Sequence, residues 1–197
     1  FMKLSERIGR EKVVWRYDPI VVTDRMGHAY HDQQFRTLAR KLSAYTDRCV
    51  ISFLDFYAKT KRNMEGLGAR DIGEAGMREL VRSLMSTCRE YGLQLQTCAE
   101  EIDVTDIGVD HGKCIDDQRI AKILGRDIDV KKAPGQRKGC GCAASGDIGA
   151  YNSCPHHCRY CYANYSMDQV RTNIARHDPE SPFLIGERCD DDVIPIM

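Results

Sequence analysis

Long apolar runs, a net charge and internal repeats are all missing from this sequence of 197 residues. Its apolar runs are a few residues long, whereas a membrane helix needs roughly 20, and no signal peptide opens the chain. Its 29 basic and 29 acidic residues cancel, so no overall field attracts a polyanion. We therefore expect a cytoplasmic protein with no membrane partner, and the composition disfavours nucleic acid without excluding it.

The basic residues and two of the histidines add no sign of a binding site. The one basic run, within residues 131–138, has no interleaved aromatic residues, which favours a solvated loop. His28 and His31 have no partner at a metal-ligand spacing, so we expect both at the surface.

Cysteine, by contrast, is abundant. Ten cysteines in 197 residues are about 5% of the chain, which is below the cysteine content of roughly 8–10% that is typical of disulfide scaffolds. They crowd toward the C-terminal half at spacings of two to four residues. This distribution favours metal ligation over disulfides. Two exceptions, Cys49 and Cys88, lie in apolar patterns and are expected in the core, and Cys189 in the tail is expected to have no role.

The first hundred residues alternate between strand and helix patterns. Phe1, Leu4 and Ile8 already have helical spacing, so we expect that the chain is cut from a longer one. The predicted strands and helices are then Val13–Ile20, His31–Tyr45, Cys49–Phe56, Ile72–Tyr91 and Leu93–Ala99, with a loop over Tyr57–Gly68. This rhythm predicts an α/β fold, a partial (β/α) barrel of parallel strands.

After Glu100 the composition changes, and Asp, Gly, Cys and Lys become frequent. Short helices are expected around Asp117–Leu124 and Met167–Arg176, without a second hydrophobic core. We therefore predict three parts: an α/β partial-barrel core over 1–112, a cysteine-rich metal-binding appendage over 113–166, and a C-terminal helix and tail over 167–197.

The most informative segment is YNSCPHHCRYCYAN, residues 151–164. Cys154, Cys158 and Cys161 have the spacing C-x3-C-x2-C, which lets three thiolates bind three corners of a 4Fe-4S cluster and leaves the fourth iron open to a small chelating molecule. Zinc is the competitor, because His156 and His157 lie in the same loop. Three thiolates at these gaps favour the cluster over zinc, which usually takes ligands in two separated pairs.

These cysteines, with Tyr160 just before the last, resemble the signature of radical S-adenosylmethionine enzymes. Longer segments resemble a bacterial family, domain of unknown function 1848, over nearly the whole chain: WRYDPI, CVISFLDFYAKT, QTCAEEID, GCGC, DIGAYNSCPHHCRYCYANYS and HDPESPFLIGE. The resemblance implies a 4Fe-4S cluster and S-adenosylmethionine as cofactors, a 5'-deoxyadenosyl radical acting on an unknown substrate, and an electron donor such as flavodoxin or ferredoxin. It also places Tyr160 among the cofactor-binding residues. The alternative is a non-catalytic structural module that binds zinc or an iron–sulfur cluster.

A second set of four cysteines suggests another metal site. Cys98 ends the third predicted strand, Cys114 follows a turn, and glycines flank the pair Cys140 and Cys142. Four converging thiolates form a closed site for zinc or for an auxiliary iron–sulfur cluster. In the other interpretation, Cys98 is a small apolar strand residue and only part of the set binds metal.

Polar residues follow the predicted strands, where ligands of parallel α/β sheets bind. We expect these residues to hold the amino and carboxylate groups of S-adenosylmethionine, or to orient a substrate. In the alternative interpretation Asp18 caps a turn, and Asp55 forms a structural ion pair with Arg16 or Lys59. The predicted cofactor-binding residues at the strand ends are Arg16, Asp18, Asp55, Lys59 and Glu100.

Overall fold

The computed structural model describes residues 1–137 and 139–186. A parallel sheet has the strand order β1 (Trp15–Ile20), β2 (Arg48–Phe53), β3 (Gln94–Cys98) and β4 (Asp110–Gly112). The helices are α1 (Met2–Ile8), α2 (His28–Leu42), α3 (Ala58–Met64), α4 (Gly73–Glu90), α5 (Asp117–Leu124) and α6 (Met167–Ala175). None of the helices in the described ranges is long and apolar enough to cross a bilayer.

The chain divides into two compact units. The first contains Phe1–Asp55 with Gly66–Ser145, and the second contains Phe56–Glu65 with the chain from Gly146 onward. Residues 113–145 therefore belong to the same unit as the sheet. The predicted division into 1–112, 113–166 and 167–197 stays a prediction.

The core of the first unit lies on one face of the sheet. Because side chains alternate along a strand, Trp15, Cys49 and Leu95 point to the same face, where they join residues of α2 and α4 in one buried cluster. The Trp15 ring stacks on Phe35 of α2 at a centroid distance of 4.7 Å. This arrangement confirms the α/β class with parallel strands, and Cys49 and Cys88 are buried in the core as predicted.

The opposite face of the sheet carries polar residues beside the buried Val50. Arg16 pairs with Val50 and Val50 with Gln96, so these three residues form one row across the strands. Asp18 and Cys98 lie two residues after Arg16 and Gln96. Because side chains alternate along a strand, they lie on the same face. This face therefore carries several of the residues predicted to bind a cofactor or a metal.

Of the helices and strands named above, α3 and β4 were not predicted from the sequence. Helix α3 occupies part of the predicted loop Tyr57–Gly68, and its sequence AKTKRNM has no apolar stripe that would have indicated a helix. Strand β4 is only three residues long, DHG, and contains no residue of high β propensity. Its pairing with β3, where Gln96 faces Asp110, defines it as a strand.

The surface placement expected for His31 is wrong. Its side chain is only 4% exposed and lies between β1 and the chain that follows it. Its Nε2 lies 3.1 Å from the carbonyl oxygen of Val21, which only accepts, so Nε2 donates there. In the neutral ring Nδ1 then accepts the hydroxyl proton of Tyr17 at 2.8 Å. A histidine with two such partners is a satisfied core residue, which no spacing in the sequence reveals.

Candidate functional site

The first unit brings together the four cysteines predicted as a second metal set. The Sγ atoms of Cys98 and Cys114 are 3.2 Å apart. The Sγ of Cys142 accepts the amide protons of Cys114 at 3.1 Å and of Ile115 at 3.5 Å. Burial alone would raise the pKa of Cys142, but these amides and the thiol of Cys140 lower it overall by hydrogen bonding. Cys140 and Cys142 are buried, whereas Cys114 is exposed.

Local backbone geometry brings these segments together. Ala99, directly after Cys98, has a left-handed φ of 54°, which turns the chain sharply at the end of β3. A side chain at Gly139 would approach the carbonyl oxygen of Glu100 to 3.0 Å, so only glycine lets this segment pass so close. The amide of Ala143 donates to the carbonyl of Ile115 at 3.0 Å, which fixes the second cysteine pair beside Cys114.

Arg16 and Asp18 lie next to this cluster. The Nε of Arg16 donates to Asp18 at 2.8 Å, its Nη1 donates to the Sγ of Cys114 at 3.2 Å, and Ser52 donates its hydroxyl proton to Asp18. The hydrogen bond from the Cys114 thiol, opposed by burial and helped by Arg16, lowers the pKa of Cys98 to about 6. The neighbouring thiol and the cation thus both favour the thiolate form of Cys98.

The other two polar residues predicted in this unit have different environments. Asp55 forms an ion pair with Arg137 at 2.6 Å, a partner that the sequence did not suggest. The Oε1 of Glu100 accepts the amide proton of Phe53 at 2.8 Å. Burial raises the pKa of Glu100 to about 7, so this carboxyl exchanges a proton near neutrality. A group of that kind, at the end of β3, is able to act as an acid or as a base.

The second unit holds the loop with three cysteines. Cys154 and Cys158 are exposed, and Cys161 is partly buried. The amide of Cys161 donates to the carbonyl of Cys158 at 3.0 Å, which forms a tight turn between the last two cysteines. The side-chain amide of Asn164 donates to the carbonyl of Cys154 at 2.6 Å and so ties the first cysteine to the end of the loop.

Asn152 closes the same loop from its other end. Its Oδ1 accepts the amide protons of Tyr165 at 2.6 Å and of Ser166 at 3.1 Å. Its backbone amide donates to Ala163, and its carbonyl accepts the side-chain amide of Asn173 at 3.0 Å. These hydrogen bonds of Asn152 form a clamp that was not predicted from the sequence, although an asparagine near each end of the cysteine segment was a signal for it.

A cleft of about 440 Å³ adjoins this loop, entirely within the second unit. Its walls include Cys158 and Cys161 together with three cationic side chains, Lys59, Arg62 and Arg159. Lys59 donates to the carbonyl of Asn164, and its Nζ lies 4.4 Å from the ring centroid of Tyr165. Lys59, one of the predicted cofactor-binding residues, therefore lines a cleft beside Cys158 and Cys161. Arg62 and Arg159 were missed because single cations outside a run give no sequence signal.

The remaining predicted residues are placed as follows. Within residues 1–137 and 139–186, no group of three or more His, Cys, Asp or Glu side chains has the arrangement of a metal site. Both cysteine sets therefore stay predictions as metal ligands. Arg16, Asp18, Asp55 and Glu100 belong to the first unit, and Lys59 and Tyr160 to the second. Lys138 and Cys189 lie outside the described residues.

Comparison with known proteins identifies the family. Neither the curated proteins nor the solved structures gave a match. The family described as Domain of unknown function (DUF1848) matches residues 1–163, a range that includes all seven cysteines predicted as metal ligands. Because the match spans well over half of the 197 residues, this chain belongs to the DUF1848 family.

Proposed function

We propose that this chain is an iron–sulfur protein of the radical S-adenosylmethionine type. In this proposal Cys154, Cys158 and Cys161 hold a 4Fe-4S cluster and the adjoining cleft takes part of S-adenosylmethionine. The observation that carries the proposal is the cleft itself, in which two of the three cysteines share walls with three cations. A cationic wall suits both a cluster with thiolate ligands and the carboxylate of the cofactor.

The donor set of the loop fits the cluster chemically. Three thiols on one loop of eight residues supply three of the four cluster ligands, and the exposure of Cys154 and Cys158 leaves them accessible to iron. Asn164 also lines the cleft, and its buried Oδ1 has no hydrogen-bond partner among the described residues, which is a costly state for an acceptor.

The contribution of the protein is to bind and orient. When bound, a cluster with an open iron supplies one electron for cleavage of S-adenosylmethionine. Lys59 holds the loop through the carbonyl of Asn164, and Arg62 and Arg159 add positive charge to the same cleft. The hydrogen bonds of Asn152 keep the ends of the loop closed, so that three thiolates remain available together.

We also propose that the first unit is a partial (β/α) barrel with a cysteine-rich appendage. Helices α2 and α4 both pack on one face of the sheet, as helices do around a barrel, and the other face carries Arg16, Asp18 and Cys98. Four parallel strands are half of the eight in a closed barrel. The appendage includes residues 113–145, which contribute few buried side chains.

The test is anaerobic reconstitution of the 197-residue chain with iron and sulfide. The expected result is about four irons per chain at the loop, and release of 5'-deoxyadenosine from S-adenosylmethionine with dithionite in place of flavodoxin or ferredoxin. Cys158→Ala should abolish both, while Cys88→Ala, which removes a core thiol outside both sets, should keep both. Iron-loaded protein that neither binds nor cleaves S-adenosylmethionine would overturn the catalytic proposal and leave the alternative, a structural metal module.

A further inference from the structure

We infer that Cys98, Cys114, Cys140 and Cys142 form a structural zinc site in the first unit, separate from the three-cysteine loop. The four residues come from three chain segments: the end of β3, the segment after β4, and the loop over 131–144. The Sγ atoms of Cys98 and Cys114 are in contact, the Sγ of Cys142 accepts the backbone amide proton of Cys114, and Cys140 lies two residues before Cys142. The inference does not depend on the proposed function, since no residue is shared with the cluster loop.

The spacing of the Cys98 and Cys114 sulfurs suits a single ion. Four thiolates at about 2.3 Å from a tetrahedral zinc stand about 3.8 Å from one another. The Sγ atoms of Cys98 and Cys114 are 3.2 Å apart, so this pair needs to separate by only about 0.6 Å. In a cubane cluster each thiolate binds a different iron, which requires wider spacing. The Sγ of Cys114 lies against that of Cys98 and its backbone amide against the Sγ of Cys142, so three of the cysteines are close together, which favours one shared ion over a cluster.

Two of the four sulfurs have hydrogen-bond donors that suit negative charge. Zinc with four thiolates has a net charge of −2, which needs hydrogen-bond donors around it. The amides of Cys114 and Ile115 both point at the Sγ of Cys142. The guanidinium of Arg16 donates to the Sγ of Cys114 and is itself held by Asp18. Three donors around these two sulfurs would stabilise the thiolates that zinc requires, which ordinary core packing would not do.

Residues 113–145 also need such a link, because they lack an apolar core. Among the described residues of this range the buried side chains are those of Cys140, Cys142 and Ala143. Helix α5 buries none of its residues. A chain segment that buries so little apolar surface requires another source of stability, and a structural metal supplies it directly.

Metal analysis of the full chain tests the site. Purified in the presence of Zn²⁺, the wild type should retain one zinc per chain after desalting. Cys142→Ser should retain none, whereas Cys114→His should still bind zinc because histidine is also a zinc ligand. Cys88→Ala is the matched control that should keep the zinc. Retention of a full equivalent by Cys142→Ser would overturn the inference.

Titration of the wild type with Co²⁺ keeps the test decisive if a variant fails to fold. A tetrahedral thiolate spectrum with four sulfur ligands supports the site, and an octahedral spectrum overturns it. Binding of iron with sulfide at these four cysteines would also overturn the inference. A disulfide between Cys98 and Cys114, detected by thiol counts on the denatured protein, would overturn it as well. Failure of the proposed function is distinguishable, since Cys158→Ala should lose iron and keep zinc.

Discussion

The two units hold their structures in different ways. In the first unit, α2 and α4 pack on the sheet through one continuous cluster of buried apolar residues. In the second unit, the buried side chains among the described residues are those of Thr60, Met64, Val170 and Asn173. Hydrogen bonds of asparagine side chains close its cysteine loop instead. Apolar burial spreads stability over many contacts, whereas a polar clamp depends on single atoms.

The largest effect should come from the apolar cluster. Phe35 is fully buried and stacks on Trp15, so Phe35→Ala removes its burial and leaves a cavity. We expect a loss of about 3–5 kcal/mol in the free energy of unfolding, measured by urea denaturation. Tyr162→Ala, at a ring that is 71% exposed, is the control and should cost less than about 0.5 kcal/mol. Equal losses for the two variants would contradict the comparison.

A smaller effect is expected where charge attaches residues 113–145 to the sheet. Asp116 accepts from Arg48 of β2 at 2.7 Å, with both side chains about 15% exposed, and it also caps α5 by accepting the amide of Arg119. Asp116→Ala removes the cap and leaves Arg48 unpaired, at a cost of about 2–4 kcal/mol.

Asp116→Asn is the matched control for that ion pair. Asparagine keeps the capping oxygen and removes only the charge, so thermal denaturation should show a smaller loss than for alanine. If both variants unfold like the wild type, the ion pair does not secure this segment to the sheet.

The clamp of the cysteine loop should be sensitive to one side chain. Asn152→Ala removes the acceptor of two amides and places alanine at a left-handed φ of 54°. We expect a local cost of about 1–2 kcal/mol, detected as faster hydrogen exchange in the loop and as weaker iron retention. Asn152→Asp keeps the acceptor and should stay close to the wild type. If the hydrogen exchange of the loop did not become faster in Asn152→Ala, the clamp would not hold the loop closed.

The smallest effect concerns a polar group inside the apolar unit. Burial lowers the pKa of His31 below its ordinary 6.5, with repulsion by His28 acting in the same direction and the carbonyl of Val21 opposing it. Burial raises the pKa of Tyr17 to about 12, so Tyr17 stays neutral in this pH range. The ring of Tyr30 packs edge-on against the ring of His31. The unfolded chain therefore binds more protons just below pH 6.5, so stability present above this pH is lost as the pH falls.

His31→Asn tests that pH dependence. The variant removes the titrating ring and should flatten the dependence of the urea midpoint on pH between about 5 and 7, whatever its overall stability. An unchanged slope would show that other groups set the acid response of the first unit.

Sequence patterns predicted the first unit better than the second. Residues such as Leu80 and Leu84 recur at helical spacing, and the run around Ile51 is continuous and apolar, so α4 and β2 were predictable. The ends of elements were not, because α2 begins at His28 and β2 ends at Phe53, where packing rather than pattern decides.

The candidate site shows the same limit. C-x3-C-x2-C is a local motif, so residues 154–161 were identified from spacing alone. Arg62 and Arg159, nearly a hundred positions apart, share a cleft wall that no local pattern indicates. The ion pair of Asp55 with Arg137 was unpredictable for the same reason.

The sequence by itself determined the family, the alternation of strands and helices, and which cysteines stand at ligand spacing, because these are properties of residues near one another in the chain. Only the tertiary structure decided that Cys98, Cys114, Cys140 and Cys142 meet, that His31 is buried, and that Lys59 faces a cleft beside Cys158. Contacts between distant segments depend on how strands pair and turns close, and that geometry is settled by the packing of the whole unit.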